Sequence, residues 1–138
     1  MLTRVVEVNG YKFTCRQVTR DIIDTFLTMN LRMSSRLVTR PPPAEKIDEY
    51  QPIGDGIWIR NEDLVKFTEE RNNVGNQALE KLCVDPDIKK IDEEYPGDVV
   101  IALREKLLDE MATIVNKANG IKKKSNAFSG IPPPPSPT

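Results

Sequence analysis

The chain has 138 residues, of which 38% are hydrophobic and 30% charged, and it contains no histidine. This length predicts one domain with a modest core, and the missing histidine removes the side chain that most often serves as a general acid or base near neutral pH. The two cysteines lack CxxC spacing. They are predicted to be buried thiols in a reducing cytoplasm, with a single disulfide between them as the alternative.

Residues 4–16 predict a β-hairpin. Apolar and polar side chains alternate on both sides of Asn9-Gly10, and this dipeptide tolerates the positive φ angles of a type I′ turn. The apolar face should lie on a helical core, because a lone hairpin is only marginally stable. Thr19 then has the character of an N-cap, and apolar residues at helical spacing predict a helix over about 20–35.

Residues 36–60 are predicted to form a long loop. Three consecutive prolines at its start stop a helix and favour a polyproline II segment, and Ile57-Trp58-Ile59 is expected to form a short strand near its end. Asn61 is the predicted N-cap of a second helix over about 62–83. A glycine inside this helix should weaken it by up to about 1 kcal/mol relative to alanine.

The clearest helical pattern covers residues 98–119. Asp98 is its predicted cap, and Gly120 stands where a residue that ends a helix is expected. The apolar stripe is broad, so it favours burial in the core, while one edge is left as a candidate contact with a partner or a second copy. That candidate edge consists of Leu107, Leu108, Met111 and Val115.

Residues 121–138 are predicted to be a flexible tail rich in lysine and proline, because so few apolar residues cannot offset the entropy of ordering. Its proline run satisfies PxxP, which indicates either a spacer or a peptide that docks on SH3-like domains. The candidate binding residues of the tail are Phe128, Pro132, Pro133, Pro134 and Pro135.

Together these elements predict an α+β, mostly α fold. An N-terminal hairpin packs on a small bundle of about three helices, within a single globular domain over residues 1–120. Charge is uneven along the chain, with a net charge of +4 over residues 1–40, −9 over 41–110 and +4 over 111–138. This pattern is either ordinary solvated surface or a means of attracting further copies of the chain or a partner of mixed charge.

Motifs for chemistry are missing from the sequence. The glycines form neither GxGxxG nor a Walker A pattern, and there is no GxSxG elbow. Acidic clusters such as Asp92-Glu93-Glu94 are typical of a solvated helix face. We therefore expect no enzymatic activity, no cofactor and no metal. No apolar run reaches the roughly 20 residues that span a bilayer, and the basic ends lack interleaved aromatic residues, so neither membrane nor nucleic acid is an expected partner.

The order of the predicted pieces carries a family resemblance. A strand pair and a capped helix precede an acidic helical middle, which continues through Leu82-Cys83-Val84-Asp85-Pro86-Asp87-Ile88 into the last helix and a polar tail with Phe128-Ser129. This order resembles the tail assembly chaperones of long-tailed bacteriophages. The resemblance implies a non-enzymatic protein of the host cytoplasm that coats the tape measure protein and helps recruit tail tube subunits.

The same resemblance implies a longer product made by ribosomal frameshifting, for which Lys122–Lys124 would supply an adenine-rich slippery site. The frameshifting hypothesis would be dropped if the codons of these lysines contained no slippery heptamer. Two other functions stay open. One is a permanent structural component of a virion tail or baseplate, and the other is an adaptor whose PxxP tail recruits SH3-like domains.

Overall fold

The computed structural model describes residues 2–118 of the chain. In chain order the elements are β1 (Thr3–Val8), β2 (Tyr11–Arg16), α1 (Arg20–Ser34), a 3₁₀ helix (Ala44–Glu49), β3 (Tyr50–Gly54), β4 (Ile57–Arg60), α2 (Asn61–Leu82), β5 (Cys83–Asp85), α3 (Ile88–Glu94) and α4 (Gly97–Ala118). The mostly helical α+β fold is confirmed, and the hairpin and the three long helices lie within a residue of their predicted positions. The predicted last residue of α4, 119, lies outside the described residues.

The β1–β2 hairpin forms as the Asn-Gly dipeptide predicts. Asn9 and Gly10 have φ angles of 50° and 85°, which is the pair of positive values that a type I′ turn requires. Val8 therefore pairs with Tyr11, and the strands continue in register away from the turn. The buried side chains on the inner face of the hairpin are Val6, Val8, Phe13 and Cys15.

A third strand, β5, extends this sheet and was not predicted. It pairs antiparallel with β2, so that the sheet order is β1-β2-β5. Cys83 lies in register with Cys15, and both thiols are buried and free, as expected from the sequence. Sequence periodicity could not reveal a strand of three residues that directly follows a long helix, because alternation needs about four residues to be visible.

The prediction of a long loop over residues 36–60 is wrong for most of its length. The 3₁₀ helix and β3 occupy its middle, and β4 confirms the predicted strand at its end. β3 pairs antiparallel with β4, and Val38 and Trp58 exchange two backbone hydrogen bonds of 2.8 Å. Pro52 obscured β3 in the sequence, since proline argues against a central strand but is tolerated at an edge.

Helix α3 was also missed, because its seven residues give too few turns for a periodic signal. The Asp87 side chain accepts a hydrogen bond of 3.0 Å from the backbone N–H of Lys90 and so caps the helix. Tyr95, directly after α3, packs its ring against Phe13 and Tyr11 at centroid distances of 5.3 and 5.6 Å. This aromatic contact ties α3 to the first hairpin.

The predicted N-caps agree with the structure in one of three cases. Thr19 occupies the N-cap position of α1, although its hydroxyl donates to the Asp21 side chain. The predictions for Asn61 and Asp98 are wrong by one residue or more, because α2 and α4 begin at Asn61 and Gly97. The Asn61 side chain instead donates a hydrogen bond of 2.9 Å to the carbonyl of Asp48, which ties α2 to the 3₁₀ helix.

The hydrophobic core is one continuous cluster that joins both sheets to all four helices. α2 contacts α1 along one flank and α4 along the other, and α4 also packs under the first hairpin. The largest fully buried side chains are Phe13, Phe26, Ile22, Met29, Ile59, Leu79, Leu82, Ile91, Leu103, Leu107, Leu108 and Met111. Within residues 2–118, no helix is both long and apolar enough to cross a membrane.

Candidate protein-binding surfaces

The apolar edge of α4 that the sequence suggested as a partner contact is part of the core. Leu107, Leu108 and Met111 are 0% exposed, and Val115 is 8% exposed. The prediction that these four side chains meet a partner is therefore wrong. Because α4 packs against α1, α2 and the hairpin together, most of its apolar stripe is buried inside the chain, while Ile101 and Ile114 stay 53% and 42% exposed.

The other predicted binding residues belong to the tail. Phe128 and Pro132–Pro135 lie outside the described residues, as does the whole predicted tail over 121–138. Docking of the tail on an SH3-like domain stays a prediction.

The flank of α2 that faces α4 is closely packed around Gly75. A Cβ atom placed on this glycine would lie 2.5 Å from Arg104 Cγ and 3.1 Å from Leu108 Cδ1. The missing side chain thus leaves room for the aliphatic stem of Arg104 to cross the helix. The Arg104 guanidinium then reaches Asn76 Oδ1 at 3.3 Å. Close packing of α2 against α4 therefore requires glycine at position 75, and this requirement outweighs the low helix propensity of glycine.

A buried charge lies on the same flank. Arg71 is only 2% exposed and donates a hydrogen bond of 2.7 Å from Nη1 to the Glu105 carboxylate. Burial raises the pKa of the nearby Asp109 carboxyl, while Arg71 lowers it and Glu105 raises it further. The Arg71–Glu105 ion pair, buried at its arginine end, thus joins α2 to α4 on this flank.

A surface opening lies on the opposite flank of α2, between α1, α2 and β4. We call it the α1–α2 cleft, and its volume is about 140 Å³. Three buried apolar side chains form its floor, each supplied by a different element. The lining residues are Met33, Ile59 and Phe67 on the floor and Arg32, Arg36, Asp63, Lys66 and Glu70 on the rim.

The rim of the cleft is charged and only partly neutralised. Arg32 donates a hydrogen bond of 2.7 Å from Nε to the Glu70 carboxylate and so bridges α1 to α2 across the cleft. Among residues 2–118, Arg36, Asp63 and Lys66 make no ion pair. The rim therefore combines unpaired charges of both signs, with one more basic than acidic side chain, around an apolar floor.

The cysteine pair lies elsewhere, under the first sheet. The two sulfur atoms, Cys15 Sγ and Cys83 Sγ, are 3.9 Å apart. The hydrogen bond to Cys15 raises the pKa of the Cys83 thiol well above its usual range, and burial raises it further. Both thiols are buried and free, and the pair fills space within the core. Residues 2–118 hold no group of three side chains suited to a metal ion.

The sequence predicted that the floor residues of the α1–α2 cleft are apolar members of regular elements, but it did not predict the cleft. Met33 and Phe67 belong to the apolar stripes that predicted α1 and α2, and Ile59 to the predicted strand. The rim became visible only with the antiparallel pairing of the two helices, which no local pattern reveals. No protein-family model matches this chain, and no curated protein or solved structure is significantly similar to it.

Proposed function

We propose that this chain is a non-enzymatic protein-binding protein that acts as a phage tail assembly chaperone. It holds helical segments of the tape measure protein through the α1–α2 cleft and helps to bring tail tube subunits to them. The observation that carries the proposal is the cleft itself, an opening between α1, α2 and β4 whose base is formed by three almost fully buried apolar side chains. Among residues 2–118, Arg36, Asp63 and Lys66 on its rim make no ion pair. The order of elements along the chain resembles that chaperone family and supports the choice of the tape measure protein as the partner.

The size of the cleft suits one side chain of a helical partner. Its volume of about 140 Å³ is close to the roughly 150 Å³ of an apolar cavity that accepts benzene. A leucine, methionine or phenylalanine from a partner helix would fit over Met33, Ile59 and Phe67. This is the helix-in-groove mode of recognition, in which apolar anchors on one face of a helix enter a groove.

The charges of the rim would favour particular charged side chains next to the apolar anchor of the partner helix. Arg36 and Lys66 would pair with acidic side chains one helical turn from the anchor, and Asp63 would favour a basic residue on the other side. A single anchor gives weak binding. Weak sites suit a chaperone that must later leave its partner. Many copies bound along one long tape measure protein can jointly keep that protein bound, and each copy can still dissociate by itself.

The proposal is tested by co-expressing the full chain with the tape measure protein encoded by the same genome. The charge-reversed variant Arg36→Glu/Lys66→Glu should lose co-purification, while the wild-type chain retains it. Lys89→Glu/Lys117→Glu is the matched control, since it changes the net charge equally at two exposed lysines away from the cleft. Equal recovery of the tape measure protein with both variants would overturn the role of the cleft.

A second measurement separates the chaperone from a permanent component of the tail. A chaperone should be missing from purified phage particles, because it leaves when tail tube subunits replace it. Mass spectrometry that finds the chain in particles at a fixed copy number would contradict the proposal and identify a structural protein.

A further inference from the structure

β1 is an edge strand, and among residues 2–118 no strand pairs with its outer side. Val8 and Tyr11 flank the two-residue turn, so they form a hydrogen-bonded pair, and the pairs formed by Val6 and Arg4 follow the same parity. Thr3, Val5 and Glu7 consequently direct their N–H and C=O groups away from β2. Within residues 2–118, one hydrogen bond is seen on this free side, of 2.8 Å from Lys106 Nζ to the Glu7 carbonyl.

The side chains of this edge are unusually open. Val5 is 65% exposed at the centre of the strand, and Thr3 and Glu7 on either side of it are exposed as well. An exposed β-branched residue in the middle of an edge strand favours pairing with a further strand. Proteins that avoid such pairing place charges or a proline on the edge strand; β1 carries Arg4 on its inner face and Glu7 near its end, but no charge or proline at its centre, position 5.

We propose that a second copy of this chain pairs with β1 through the same edge, antiparallel, with the twofold axis at Val5. Val5 then lies opposite Val5 of the second copy, and Thr3 lies opposite Glu7. This register uses all the free backbone groups of the strand, and the two three-stranded sheets join into one of six strands. The inference does not depend on the proposed function of the cleft.

The charges on the solvent face of the sheet agree with this register. On each copy Glu7 is paired with Lys12 across the hairpin, and Thr3 is paired with Arg16. Joining the edges places Thr3 of one copy next to Glu7 of the other, with Arg16 one strand further along the same row. Within each row, every charged side chain therefore has a neutral or oppositely charged neighbour, and no two like charges lie directly opposite each other.

The neighbouring flank of α4 is complementary to itself in the same way. Lys106, Asp109, Glu110, Thr113 and Ile114 line an open trough of about 430 Å³. α4 runs antiparallel to β1, because Glu110 contacts Arg4 and Lys106 contacts Glu7. The twofold axis at Val5 falls between these two contacts, so the trough of each copy faces that of the other.

Lys106 would then exchange partners when the dimer forms. Its ammonium group leaves the Glu7 carbonyl, which becomes a backbone acceptor for the second copy. In exchange it faces the acidic side chains Asp109 and Glu110 of the opposite trough. The same exchange occurs on both sides of the axis, as an isologous interface requires.

Charge swapping at position 5 tests the proposal, because only a residue on the axis meets itself. Sedimentation equilibrium of the full chain should show a dimer for the wild type. Val5→Lys and Val5→Glu should each weaken self-association roughly tenfold, since like charges are then opposed across the axis. An equimolar mixture of the two variants should restore the dimer. Circular dichroism and thermal unfolding of each variant check that the fold is retained.

A wild-type chain that stays monomeric over the whole accessible concentration range would overturn the proposal. A dimer that both single variants leave unchanged would also overturn it, because the interface would then lie elsewhere. Val5→Thr is the matched control, since it keeps the shape and the N–H group of the edge strand and should dimerise nearly as the wild type does.

Discussion

The two flanks of α2 differ in how their space is filled. Toward α4, Gly75 admits the stem of Arg104, and buried Arg71 bonds to Glu105. Toward α1, the Arg32–Glu70 bridge spans an opening of about 140 Å³ with buried apolar side chains at its base. Both flanks contain an arginine–glutamate pair that joins two helices, yet only the flank toward α4 is closely packed.

This difference shows why an apolar stripe is a poor guide to a binding surface. The most regular apolar stripe of the chain, on α4, is mostly buried in the core. The α1–α2 cleft lies instead where long charged side chains leave space between α1 and α2. We therefore propose that a partner binds at an opening between elements, rather than on the most hydrophobic helix.

The largest expected effect tests whether the α4 stripe belongs to the core. Leu108→Ala should destabilise the chain by about 2–5 kcal/mol in urea unfolding, because it removes a fully buried side chain and leaves a cavity. Ile101→Ala on the same helix is the control. Since Ile101 is 53% exposed, its loss should change the free energy of unfolding by about 0.5 kcal/mol or less. Equal effects of the two substitutions would show that the stripe is not buried as described.

The close packing of the α2–α4 flank should not tolerate a larger residue at position 75. Gly75→Val places methyl groups where Arg104 and Leu108 already lie, and we expect a loss of about 1–3 kcal/mol. Arg104→Ala in the same chain should recover part of that loss, because the clash is with its stem. Gly97→Val, at a glycine with no atom within 4 Å of its would-be Cβ, is the control, and an equal loss there would contradict the packing argument.

The fold was predictable from sequence wherever a local pattern was long enough. Asn9-Gly10 determined the hairpin, and apolar spacing located three helices. β3, β5 and α3 were missed because each is short and because Pro52 argues against a strand. The cleft could not be predicted, since Arg36, Lys66 and Ile59 are brought together only by tertiary contacts between α1, α2 and β4. The assignment of the α4 edge failed because periodicity identifies an apolar face without showing what covers it.

The ion pair on the packed flank should show energetic coupling. In a double-mutant cycle of Arg71→Met and Glu105→Gln, we expect about 1 kcal/mol of coupling in the free energy of unfolding. Glu105→Gln keeps an acceptor oxygen but removes the negative charge that compensates buried Arg71, and Glu105 is itself partly exposed. The same cycle with Arg32→Met and Glu70→Gln should give a smaller coupling, because Arg32 is largely exposed to solvent. A larger coupling for the exposed pair would reverse the comparison of the two flanks.

The smallest expected effect concerns the far end of the open flank. The Lys81 hydrogen bond, together with that from Thr19, lowers the pKa of Asp21 to about 2. Because the folded-state pKa is depressed, this group contributes stability above its unfolded pKa and loses it as the pH falls toward 2. A carboxyl-detected NMR titration should show Lys81→Met raising the pKa of Asp21 toward its usual value. An unchanged titration would mean that the Asp21–Lys81 contact is not maintained in solution.

The central claim is that a partner side chain enters the α1–α2 cleft. The most direct test is a methyl NMR titration of the full chain with synthetic helical peptides that tile the tape measure protein. The methyl signals of Met33 and Ile59 should shift and saturate with at least one peptide, while those of Met111 and Ile91, buried elsewhere in the core, should stay in place. Saturable shifts that avoid Met33 and Ile59, or no shifts with any peptide, would contradict the account.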